Sequence, residues 1–177
     1  MRGMLRFSLA LAAALLLMVA VRALAFTVYS VPGNALSPHF VSGDRIVVNR
    51  WSYGLRVGGE GLVPYGRIGR QPVCRGDIVA FELPTDSLGG VFIGRCRAIP
   101  GDTLPMADGP AVVPGRISCA KTDYYWLEAI TPGSAVDLRH QGFIPEHCII
   151  GRVMGVLYSI DASKPLHQAF RKERLLR

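Results

Sequence analysis

From Phe7 to Val21 the chain reads FSLALAAALLLMVAV, an apolar run with no charge in it. Arg2 and Arg6 precede the run, and no acidic residue occurs before Asp44. Two readings fit this start. A cleaved leader has a basic beginning, an apolar centre and a small-residue exit, which Ala23-Leu24-Ala25 supplies. A membrane-spanning helix needs about 20 apolar residues. Leu5 to Tyr29 provides that length if Arg22 snorkels to the interface. Arg2 and Arg6 then hold the N-terminus on the cytoplasmic side.

Beyond Thr27 no helical period occurs until Ile160. Three Gly-Asp pairs each precede an extended run: Gly43-Asp44 before Arg45 to Val48, Gly76-Asp77 before Ile78 to Phe81, and Gly101-Asp102 before Thr103-Leu104. Glycine permits the turn, aspartate bonds nearby backbone, and β-branched residues then favour a strand. Gly90 to Arg97, Tyr124 to Ala129 and Cys148 to Tyr158 also read as strands. Gly54 to Pro72 reads as a glycine-rich surface loop, and Asp102 to Thr122 as a hairpin excursion. Twenty Gly and twelve Pro spread along the chain fit this pattern. The expected architecture is mainly β: antiparallel sheets folded over each other as a partly open barrel, behind an N-terminal transmembrane helix. The divisions are 1–26 for the anchor, 27–160 for the β domain and 161–177 for a basic tail.

The net charge of +7 raises nucleic acid as a partner. No basic run interleaved with aromatics is present, so nucleic acid is set aside in favour of an anionic membrane surface. The tail carries Lys164, Arg171, Lys172, Arg174 and Arg177 against Glu173. It reads either as a membrane-contacting helix or as a solvated end. Cys74, Cys96, Cys119 and Cys148 are spaced too widely for a zinc site. They form one or two disulfides outside the cytoplasm, or stay buried thiols. No metal or cofactor is expected.

Four blocks in order carry the functional signal. Tyr29 to Arg50 contains Pro32, Pro38 and Gly43-Asp44. Arg75 to Phe81, with Pro84, reads RGDIVAF. Phe92 to Asp102 reads FIGRCRAIPGD. The last block holds Asp137, Arg139, Gly142 to Pro145 and Gly151-Arg152-Val153. Together they resemble the bacterial type I signal peptidases, over Phe26 to about Asp161. The resemblance implies a single-pass protein of the bacterial inner membrane, with its bulk on the periplasmic side. It also implies a substrate class, exported preproteins bearing signal peptides. It favours the retained anchor, because the nucleophile-like loop then starts close to the membrane exit.

The resemblance further implies a serine nucleophile with a lysine base whose ammonium loses its proton in apolar surroundings. A small hydroxyl near the nucleophile helps to hold the oxyanion, and a second serine supports the lysine. In this chain the nucleophile position is Ala35, the base position Gly94, the oxyanion position Gly33 and the supporting position Ala135. A methyl group cannot attack, and glycine cannot accept a proton; losing either group typically costs about 10⁶ in turnover. The family's peptide groove falls on Tyr29, Val31, Pro32, Leu36, Phe40, Phe92 and Ile93, residues that would otherwise simply fill the core. Arg95, Asp137 and Arg139 match its supporting ion-pair cluster.

The resulting expectation is a non-catalytic relative that binds signal-peptide-like segments or regulates an active sister peptidase. The alternative is an active serine endopeptidase using other residues. Ser37 with His39 is the nearest such pair, and Cys96 lies on the face of Gly94 if the strand is regular. Ser30 lies five residues before Ala35 and Ser42 near the far end of the loop, and His140 and His147 have no evident catalytic partner.

Overall fold

The structure is a computed structural model of the full chain. It describes residues 2–31, 36–58, 64–83, 90–106, 109–118, 120–130, 142–161 and 170–171. A helix α1 (Arg2–Ala25) passes directly into the strand β1 (Phe26–Ser30). On α1 the side chains are described from Arg6 to Val19 and at Ala25, so the expected placement of Arg22 lies outside them. Among the described residues no helix is long and apolar enough to cross a membrane. The described apolar side chains of α1 are nevertheless open, with Phe7 73% and Leu16 71% exposed.

Ten further strands follow: β2 (Asp44–Asn49), β3 (Leu55–Val57), β4 (Gly66–Ile68), β5 (Ile78–Glu82), β6 (Val91–Ala98), β7 (Thr103–Met106), β8 (Gly109–Val112), β9 (Tyr124–Ala129), β10 (Ile144–Pro145) and β11 (Ile149–Ser159). Seven form one antiparallel sheet in the order β1-β2-β11-β5-β6-β9-β10. The long β11 pairs with β2 along one part and β5 along another, and its register shifts at Ile149/Gly151, Val153/Gly155 and Val156/Tyr158. Such bulges bend a strand and increase its twist. They let one strand serve two neighbours, and the sheet curls into a half-barrel. The expected mainly β architecture is therefore present, with an N-terminal helix at its start.

At β5 both faces of the sheet are covered. From β5, Val79 and Phe81 enter one apolar cluster with Tyr53, Cys96, Leu127 and Ile149, while Ala80 enters the other with Val31, Phe40, Ile46, Ile93 and Val156. Burial on both faces explains why Ile78 to Phe81 is a continuous apolar run rather than an alternating one.

The three Gly-Asp pairs build the same turn three times. Gly43, Gly76 and Gly101 have φ of 90°, 89° and 90°, in the region open to glycine. The aspartate after each glycine accepts from the backbone N–H three residues earlier: Val41 to Asp44 at 2.9 Å, Cys74 to Asp77 at 3.2 Å, Ile99 to Asp102 at 2.9 Å. Its own N–H returns to the carbonyl of that residue at 3.0, 3.2 and 3.0 Å. Each turn thus closes by a reciprocal pair of bonds and launches β2, β5 or β7.

The Gly54 to Pro72 segment differs from the expected surface loop. It contains the β3–β4 hairpin, which pairs Leu55 with Ile68 and Val57 with Gly66. The Arg67 side chain is only 1% exposed. Its guanidinium donates to the carbonyls of Gly54 (3.1 Å), Glu146 (3.0 Å) and Ile149, and to the Tyr65 hydroxyl (2.6 Å). Arg70 bridges Asp123 at 2.6 Å and also Glu146. The β7–β8 hairpin is the excursion expected between Asp102 and Thr122.

Candidate functional site

The segment after β1 starts and ends on one junction. The Val31 N–H donates to the Asp44 carbonyl at 3.0 Å, and the Gly43 N–H to the Val31 carbonyl at 3.4 Å. Asp44 is fully buried there. Within the segment the Phe40 N–H donates to the Leu36 carbonyl at 2.9 Å, and the Ser37–Pro38 peptide is cis. Pro32, Gly33 and Ala35 lie outside the described residues, as do Ala135, Asp137 and Arg139.

Of the expected groove residues, Tyr29, Val31, Leu36, Phe40 and Ile93 meet in one apolar cluster on one face of the sheet. Val31, Phe40 and Ile93 are buried by the chain itself, at 4%, 6% and 9% exposed. Tyr29 and Leu36 keep part of their surface in solvent and supply what this face presents. Burial raises the Tyr29 phenol above its ordinary value, against a lowering influence from Arg50. Phe92 belongs elsewhere: it packs at 6.1 Å from the Phe81 ring, in the cluster on the other face. Alternation along β6 separates it from Ile93.

Gly94 is buried in the middle of the sheet. It pairs with Val79 on β5 and Ala129 on β9. Cross-strand partners share a face, so a side chain at this position would stand beside Val79 and Ala129, in the cluster with Phe92 and Cys96 and on the face opposite Tyr29, Leu36 and Ile93. No such side chain exists. Lys121 is the one lysine among the described residues, and it is exposed in the loop before β9. Arg95, next along, is exposed and opposes Ile78 and Glu128.

The substitute candidates do not assemble around Gly94. Cys96 is 1% exposed, with its thiol 3.7 Å from the Ala98 carbonyl. Burial, with Asp77 next in effect, pushes its pKa up to about 12, so it is a packed thiol rather than a nucleophile. His39 is exposed, and Ser37 is partly so. His147 is exposed against the edge of the Tyr65 ring at 5.8 Å. Cys74, Cys96 and Cys148 are free thiols, while Cys119 lies outside the described residues. Among the described residues no group of His, Cys, Asp or Glu is arranged to hold a metal ion.

Two buried polar contacts escaped the sequence. The Tyr53 hydroxyl donates to Asp77 at 2.9 Å, and Arg152 approaches the other Asp77 oxygen at 3.3 Å. Burial first, and the Asp77 contact second, raise the Tyr53 phenol well above its ordinary value. Glu146 is pushed up by burial against the pull of Arg70 and Arg67. Spacing along the chain gives no warning of either cluster, because their members lie 24 and 76 residues apart.

The chain matches the family described as signal peptidase, peptidase S26, over residues 4–134. It is similar to "Signal peptidase I" of Leptolyngbya laminosa, 24% identical over 147 residues, or 70% of this chain and 64% of that protein. It is also similar to "Probable signal peptidase I-2" of Synechocystis, 24% identical over 160 residues, or 78% of this chain and 66% of that protein. The matched region thus spans just under two thirds of each relative's own length. With the family match covering most of its length, this chain belongs to the signal peptidase (peptidase S26) family.

Proposed function

We propose that this protein is a membrane-anchored, non-catalytic member of the family that holds signal-peptide-like segments of exported preproteins, or modulates an active sister peptidase. The observation that carries the reading is Gly94. The position expected to hold the general base is glycine, paired on both sides, and the lysine described elsewhere is exposed on a loop. Ala35, Gly33 and Ala135 in the sequence point the same way. An ester or amide cannot be cleaved by acyl transfer without a nucleophile and a group to take its proton.

Anchoring is supported by the exposed leucines of α1, which the described chain leaves uncovered. An apolar helix surface needs an apolar partner, and a bilayer supplies one. The working division is an anchor over 1–26, a β domain over 27–160 and a basic tail over 161–177. The β domain then lies on the periplasmic side of the inner membrane.

The test reconstitutes the full chain in liposomes with a preprotein carrying a photo-crosslinker just before its cleavage site. The expected result is a crosslink to the face formed by Tyr29 and Leu36, without product. Cleavage that is lost in Ser37→Ala or His39→Ala would replace this reading with the enzymatic one. Absence of any crosslink would remove the binding role.

A further inference from the structure

We infer that Phe170 and Arg171 form a strap that positions the base of the 31–44 segment. The connection runs through backbone contacts. The Arg171 N–H donates to the Ser159 carbonyl at 3.0 Å, Phe170 makes an isolated antiparallel bridge with Ile160, and the Arg171 guanidinium pairs with Asp161 at 2.8 Å. These contacts hold Ser159, the last residue of β11, with Ile160 and Asp161 just beyond it. Those residues in turn touch the segment's base: Ser159 is the register partner of Asp44, both are fully buried, and the Ile160 N–H donates to the Gly43 carbonyl at 3.1 Å.

The contact at Gly43 has no cushioning. A Cβ there would lie 2.0 Å from the Ile160 carbonyl oxygen, so two main chains abut directly. No flexible side chain can absorb a shift of Ile160. Such a shift reaches Gly43 and Asp44, and from Asp44 it reaches Val31 and Val41 through the bonds that close the segment. A strand end with nothing beyond it frays. The strap removes that freedom at the place where the candidate site is rooted.

Native-state hydrogen exchange on the full chain tests this, with Arg171→Gln, Asp161→Asn and the swapped pair Asp161→Arg with Arg171→Asp. A half-buried ion pair near the surface, such as Arg171 with Asp161, changes local opening by about two- to fivefold. The amides of Val31, Val41 and Asp44 are expected to exchange faster by that factor in the single variants and to slow again in the swapped pair. Amides of β5 and β6 are expected to stay unchanged. A chain ending at Asp161 should show a larger effect at the same three amides. Unchanged exchange at these amides in the folded shortened chain, or in both single variants, overturns the strap. An equal rise across β5 and β6, or no recovery in the swapped pair, overturns it as well.

Discussion

Asp102 is held by Arg75 and by the Ile99 N–H, and these contacts, the Arg75 hydrogen bond first, lower its carboxyl below the ordinary value. A carboxylate with a depressed folded-state value favours the fold above the ordinary aspartate range, near 3.9. That contribution is lost as the pH falls through the depressed value. Carboxyl NMR should therefore find Asp102 titrating below a free aspartate, and Arg75→Gln should move it back up; an unmoved midpoint would deny the contact. The thiols make a second test at this scale. Cys96, with its pKa near 12, and Cys148, also raised by burial, should resist a disulfide reagent at neutral pH, while exposed Cys74 reacts. Rapid labelling of Cys96 in the folded chain would contradict its burial.

Among the elements, legibility followed the source of the stabilising energy. Strands β2, β5 and β7 could be read because a local signal, Gly-Asp, sets each turn and apolar residues follow it. Strands β6, β9 and β11 could be read from composition, although the bulges that let β11 face two partners leave no mark in the sequence. The β3–β4 hairpin could not be read. Its strands are three residues long, and Arg67, which fastens it to Glu146 and to three carbonyls, looks like a surface residue in any hydropathy pattern. Breaking a buried charge pair by removing one member typically costs about 3–5 kcal/mol. Arg67→Met should lower unfolding stability by that order. Arg56→Ala, which loses the exposed Glu82 pair at 3.2 Å, should cost about 0.2–1 kcal/mol. Equal losses in urea unfolding would show that Arg67 is not an anchor. For the site, the apolar set Tyr29, Val31, Leu36, Phe40 and Ile93 was legible as a group. The separation of Phe92 from Ile93 by strand alternation was available in principle, but only once β6 was known to be regular there.

At the scale of the whole chain, family membership and curled sheet agree with the block order seen in the sequence, and the proposed loss of catalysis belongs to the substitutions within those blocks. The helix start carries a further consequence. Ala25 ends α1 and Phe26 begins β1, with the Arg50 N–H fixed to the Ala25 carbonyl at 2.8 Å. No slack linker intervenes. With α1 seated in a bilayer, β1 becomes a ruler: five residues at about 3.3 Å each set the elevation of Val31 above the lipid at no more than roughly 17 Å. On that arrangement, a segment bound beside Val31 would have to emerge from the same membrane or be threaded down to it, and clients would be selected by height before chemistry is consulted.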